Sequence, residues 1–136
     1  CRGAGGWQVS NHPLLGMVPL QASLAQFAAA CLPALRARSL QLTAWLERLL
    51  DERLGNRIEI LTPREPQWRG AQLSVRLRGT RGGGRALFGR LLASGLICDW
   101  REPDVIRLAP APLYNSHEDC WRAVALVEAE LNALPA

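Results

Sequence analysis

The chain has 136 residues, 49% of them hydrophobic and 21% charged, with a formal net charge of +4. That length suits a single domain able to bury roughly two-thirds of its unfolded surface, and the balance of apolar to charged residues is that of a folded chain and not a disordered one. All 16 basic residues are arginine and none is lysine, which excludes chemistry that needs an amine side chain, because a guanidinium stays protonated at any useful pH. The four cysteines, Cys1, Cys31, Cys98 and Cys120, form no CxxC pair and no tight framework. With no apolar signal segment behind a basic start, they read as reduced thiols of a cytoplasmic protein. His12 and His117 lie far apart, neither beside cysteines or carboxylates at zinc-ligand spacing, so no metal is expected.

The first ten residues are loop-like because Gly3, Gly5 and Gly6 oppose regular structure, although Trp7 and Val9 suit a short extended piece. Asn11-His12-Pro13 reads as a turn leading into a helix, with Asn11 as cap and proline at its start. Residues 14–32 are apolar on nearly every side, broken only by Gly16, Pro19, Gln21, Ser23 and Gln26. A helix greasy all round must be buried. Its length invites a membrane reading, but the glutamines, Ser23 and Pro19 speak against one, and burial against a large domain or second subunit is expected instead. Pro33 should interrupt this helix. A second, amphipathic helix follows, with Leu35, Leu42, Leu46, Leu49 and Leu50 on one face and a stop at Gly55.

Residues 57–61 suit a short strand with Ile58 and Ile60 on one side. Residues 71–78 alternate, with Leu73, Val75 and Leu77 facing in and Gln72, Ser74, Arg76 and Arg78 facing out, which is the pattern of a half-buried strand. Residues 79–84 form a glycine-rich loop, and 85–94 a helix burying Leu87, Phe88, Leu91 and Leu92 before Gly95. Two apolar runs, 96–98 and 105–109, then flank a turn built around Arg101, Glu102, Pro103 and Asp104. A final helix over 116–134 starts at the N-cap Ser116, with Trp121, Val124, Val127 and Leu131 as its inner stripe and Glu118 and Asp119 suiting its dipole. The predicted fold is α/β (α+β): one small, mostly antiparallel sheet covered by helices on one face.

The penultimate feature carries the chemistry. In the 105–109 strand Ile106 and Leu108 share one face, so Arg107 points to the other with Val105 and Ala109. Pro110 and Pro112 then stop the strand. An arginine there is expensive to bury unless an anion meets it. From pattern alone Arg107 is either a solvated edge-strand residue, a partner of a structural carboxylate, or the holder of an anionic ligand.

The string CDWREPDVIRLAPAPLYNS, residues 98–116, closely resembles the C-terminal part of kynureninases, and VSNHPLL (9–15), LQASLAQF (20–27) and RGAQLSV (69–75) match in the same order. The resemblance implies the small C-terminal domain of a fold-type I enzyme that uses pyridoxal 5'-phosphate to hydrolyse kynurenine or 3-hydroxykynurenine to an anthranilate and alanine. It implies that residues 1–32 are the tail of the cofactor domain and a connecting helix, that 33–136 are the small domain, and that the enzyme is a homodimer. It assigns Arg107 to the substrate's α-carboxylate, a planar fork for a planar anion. Asn11 falls at the position beside the substrate's aromatic end, where an amide can hydrogen-bond ring substituents; capping a helix is its other reading. Lacking lysine, these residues cannot form the Schiff base that such an enzyme needs, so the chain reads as the C-terminal third of a longer protein, inactive alone. Arg101 is expected to pair with Glu102 or Asp104, and Tyr114 to be a partly buried aromatic.

Two other classes compete. The arginines of RLRGTRGGGRALFGR (76–90) superficially resemble an RNA-binding segment, but no lysine-aromatic interleaving follows, Arg76 and Arg78 belong to the solvent face of the strand, and nucleic-acid binding is not expected. Another fold-type I lyase or aminotransferase is the remaining alternative, against which the 107–116 signature speaks.

Overall fold

The computed structural model describes residues 3–7, 9–11, 13–79 and 83–134. Cys1 and His12, and the Thr80, Arg81 and Gly82 part of the glycine-rich loop, lie outside the described residues. The chain divides into two compact units, Cys1–Ala34 and Leu35–Ala136.

In the first unit, Ala4–Trp7 forms a 3-10 turn within the stretch expected to be loop, and Trp7 ends that turn instead of starting an extended piece with Val9; Gly3, at φ 84°, supplies a backbone conformation that suits a tight turn. Helix α1 runs over Leu14–Ala30 and accommodates Pro19. Its N-cap is Pro13, with no side-chain cap hydrogen bond, so Asn11 does not cap it. No residue of α1 is buried, and Leu15 is 92% exposed. The described residues do not cover this all-round apolar surface, whose burial was expected against a large domain or second subunit. Among them, no single helix is long and apolar enough to cross a membrane.

Helix α2 spans Leu32–Leu54. The break from α1 comes at Cys31, which takes φ 62°, and not at Pro33. Proline in a first helical turn forfeits only a donor that has no intrahelical partner anyway, so it opens α2 instead of ending α1. Ser39, Leu42, Thr43, Leu46, Leu49, Leu50 and Leu54 form its buried stripe. At its end, a Cβ on Gly55 would lie 2.6 Å from the Asp51 carbonyl oxygen, so only glycine fits there.

The sheet has four strands, β1 (Ile58–Ile60), β2 (Leu73–Leu77), β3 (Asp99–Arg101) and β4 (Val105–Leu108), in the order β1-β2-β4-β3 with every pair antiparallel. Helices α3 (Gly83–Ala93) and α4 (His117–Asn132) complete the unit. The apolar stripes of α2, α3 and α4 meet Ile58, Leu73, Val75, Ile106 and Leu108 in one core, so the expected sheet with helices on one face is what forms.

Further expectations need correction. The strand before the turn is Asp99–Arg101, not 96–98. Pairing with β4 sets this register: Asp99 faces Arg107, Trp100 faces Ile106, and Arg101 faces Val105. Trp100 also packs its ring 5.9 Å from Phe88, while Ile97 is exposed. The inner stripe of α4 begins at buried Cys120, and Trp121 lies outside with the Arg53 guanidinium over its ring. Tyr114 is 79% exposed, not partly buried, because its segment turns over Ala111, whose carbonyl accepts from the Tyr114 and Asn115 amides.

The α4 terminus is a full capping box: Ser116 Oγ accepts from the Asp119 amide at 3.1 Å, and Asp119 accepts from the Ser116 amide at 2.7 Å. The Ser116 backbone and side-chain hydrogen bonds hold the Asp119 carboxyl below its ordinary value. A depressed folded pKa means that the carboxylate stabilises the fold above the unfolded carboxyl's pKa, and that this is lost as pH falls through the folded value. Ser116→Ala should cost about 1 kcal/mol, and Asp119→Asn should shift the acid limb of unfolding, measured by circular dichroism, less steeply with pH than the parent.

Candidate functional site

The site lies on the sheet face away from the helices. Strand alternation sends Ile106 and Leu108 into the core, so Arg107 emerges on the other face. β4 is an interior strand, flanked by β2 and β3, which removes the edge-strand reading of Arg107. Its cross-strand neighbours are Ser74 on β2 and Asp99 on β3.

The Arg107 guanidinium donates from Nε to Asp99 Oδ2 at 2.6 Å and from Nη2 to the same oxygen. Its side chain is 27% exposed. Arg101, one pleat along β3, places Nε 3.2 Å from that oxygen as well, so it pairs with Asp99 and not with the expected Glu102 or Asp104. Two guanidinium groups thus share one carboxylate, a local excess of one positive charge. Across β2, the single guanidinium of Arg76 pairs with two carboxylates, Glu59 at 3.0 Å and Asp104 at 3.8 Å, so the spare positive charge on this face sits at Arg107 and Arg101 and the spare negative charge at Glu59 and Asp104. A half-buried guanidinium with spare charge can take a carboxylate or another planar oxyanion as a bidentate partner.

Neither Cys98 nor Cys120 is an activated nucleophile. Burial pushes the Cys98 thiol up, and burial with the Asp119 charge pushes Cys120 up to about 11, so both stay protonated at neutral pH. Among the described residues no group of three His, Cys, Asp or Glu could hold a metal ion. A groove of about 120 Å³ lies on the helix side of β4, lined by Leu46, Ile97, Leu108, Pro110 and Cys120, and it includes neither Arg107 nor Asn11. Asn11 is exposed and belongs to the first unit, Arg107 to the second.

The arginines of residues 76–90 are engaged locally. Arg76 is paired as above, Arg78 donates to the Ile58 carbonyl at 2.7 Å, Arg85 stacks over Phe88 and Trp100, and Arg90 pairs with Glu130 at 2.7 Å. Arg81 lies outside the described residues.

Asp99, and the partnership of Arg101 with it, were missed in the sequence reading. The signal was present: counting four residues back and four forward from Pro103 meets Asp99 and Arg107, and the observed register is the one that centring the hairpin on that proline gives.

Residues 35–127 match the family model of the kynureninase C-terminal domain. The chain belongs to the kynureninase family. It is 55% identical over 127 residues to the kynureninase of Xanthomonas euvesicatoria pv. vesicatoria (strain 85-10), 54% identical over 127 residues to that of Stenotrophomonas maltophilia (strain K279a), and 51% identical over 130 residues to that of Koribacter versatilis (strain Ellin345). These alignments cover 93%, 93% and 96% of the chain, but 30% of the length of each relative. The kynureninase match includes Asp99, Arg101 and Arg107; Asn11 precedes the region matched by the family model.

Proposed function

We propose that the chain is the C-terminal part of a kynureninase, a pyridoxal-phosphate-dependent hydrolase that splits kynurenine or 3-hydroxykynurenine into an anthranilate and alanine. The observation that carries this reading is the match to the kynureninase C-terminal domain across the very residues that build the Arg107 site. Within the complete enzyme, Arg107 grips the substrate's α-carboxylate and Asn11 lies beside its aromatic end. Residues 1–32 form the tail of the cofactor domain and a connecting helix, 33–136 form the small domain, and the enzyme is a cytoplasmic homodimer.

The residues present do not fit covalent attachment of the cofactor. With 16 arginines and no lysine, the chain has no amine that could condense with the aldehyde. The attachment residue therefore belongs to sequence other than these 136 residues, and the part played by this chain is to bind and orient the amino acid.

The test is the complete protein incubated with pyridoxal phosphate and each of the two substrates, with anthranilate or 3-hydroxyanthranilate followed by fluorescence. Product from at least one is the expected result, and none from residues 1–136 alone. A complete protein that releases neither product would overturn the reading.

A further inference from the structure

We propose that Asp99 is a positioning residue, which holds Arg107 by the Nε–Nη2 edge of its guanidinium so that the Nη1 end is presented to the carboxylate of the amino-acid substrate. The inference rests on the reading of Arg107 as the carboxylate-binding arginine and goes beyond it by naming what aims that side chain. Both Arg107 donors converge on the single oxygen Oδ2 of Asp99. Among the described residues Nη1 has no hydrogen-bond partner. The pair is set by strand register, Asp99 lying directly opposite Arg107, so the brace is as rigid as the hairpin that carries it.

A carboxylate beside an anion-binding arginine would ordinarily compete with the ligand. Arg101 answers that difficulty, since its Nε stands 3.2 Å from the same Asp99 oxygen. With two guanidinium groups on one carboxylate, Asp99 can orient Arg107 without cancelling the charge that draws the substrate in. Removing Asp99 has two opposing effects. Loss of its negative charge favours an incoming anion, but Asp99 and Arg101 are about half exposed, where such an effect is screened. Loss of the brace frees a long, flexible side chain that binding must then immobilise, a cost solvent does not screen. Loss of the brace therefore dominates.

The experiment uses the complete enzyme carrying Asp99→Ala, Asp99→Asn or Arg107→Ala, and compares affinity for kynurenine with affinity for the matching amine that lacks the α-carboxylate. Asp99→Ala should weaken kynurenine by about tenfold and change the amine less than about twofold, a selectivity that a merely structural role would not produce. Asp99→Asn keeps an acceptor oxygen in the same place and should show the same selective loss, smaller in size; it carries the test if Asp99→Ala does not fold. Equal changes for the two ligands, or none, would overturn the proposal. Arg107→Ala separates the two levels. If it too loses no carboxylate selectivity, the Arg107 reading falls and Asp99 with it. If it does and the Asp99 variants do not, only the positioning role fails.

Discussion

Arg107→Ala in the complete enzyme is expected to lower kcat/KM for kynurenine by more than about tenfold, because removing one partner of a desolvated, hydrogen-bonded charge pair costs about 2–5 kcal/mol. The side chain is only 27% exposed, so water and salt weaken its grip less than they would at an open surface. The fold should survive the change. Asp99 keeps Arg101 as a partner at 3.2 Å, and the core residues Ile106 and Leu108 point the other way. Arg107→Lys should recover little, since an ammonium offers a point charge where a carboxylate is met by a planar fork. Steady-state kinetics on matched, folded variants give the answer. An unchanged kcat/KM would mean that the carboxylate is bound elsewhere.

The second large effect is on stability. The segment between β1 and β2 has little regular structure beyond a 3-10 turn at Pro66–Trp68, yet it is held to α2 by three arginines. Arg36 donates to the carbonyls of Pro66 at 2.7 Å and Arg69 at 3.1 Å. Arg64 bridges Glu47 at 2.8 Å and Asp51 at 2.5 Å. Arg69, its side chain 4% exposed, pairs with Glu47. Glu47→Ala would leave that guanidinium buried with no carboxylate, which costs about 3–5 kcal/mol when a buried pair is broken from one side. The loss should appear as a lower denaturant midpoint and as faster amide exchange across residues 61–72 than across β4.

The same cluster sets a pH dependence. Burial pushes the Glu47 carboxyl up, but the Arg69 and Arg64 guanidinium groups outweigh it and hold the group below its ordinary value. The carboxylate therefore stabilises the fold at pH values above the unfolded glutamate range, about 4.3. That stabilisation is lost as pH falls through the lower, folded value. Glu47→Gln should flatten the acid limb of the unfolding profile while lowering stability at neutral pH. A variant with an unaltered acid limb would show that the cluster does not couple folding to protonation.

Periodicity, with the cap and turn residues between the elements, was enough for the order of helices and strands. Alternation over Leu73, Ser74, Val75 and Arg76, the leucine stripe of α2 and the Ser116 cap are local signals, each dictated by strand or helix geometry within a few residues, and each forms as expected. The side from which Arg107 emerges was equally local, since a period of two leaves no other face once Ile106 and Leu108 are inside. The resemblance of residues 98–116 to kynureninases, which the family match bears out, carried what pattern could not.

What chain-order reading missed is what depends on residues distant in sequence. Pairing with β4 moved the strand start from 96–98 to Asp99, because a register is chosen by both strands and by the ring of Trp100 meeting Phe88. Strand order placed β4 inside the sheet, through a crossover that no local pattern specifies. Trp121 and Cys120 exchanged places because neighbouring helix positions differ by about 100° and only the packed partner decides which faces in. The residue types of the site, an arginine among apolar neighbours and carboxylates near it, were determined by sequence. That Asp99 meets Arg107, and that Arg101 reaches the same carboxylate oxygen, was decided by tertiary structure, because a hydrogen bond depends on side-chain distance and direction and not on separation along the chain.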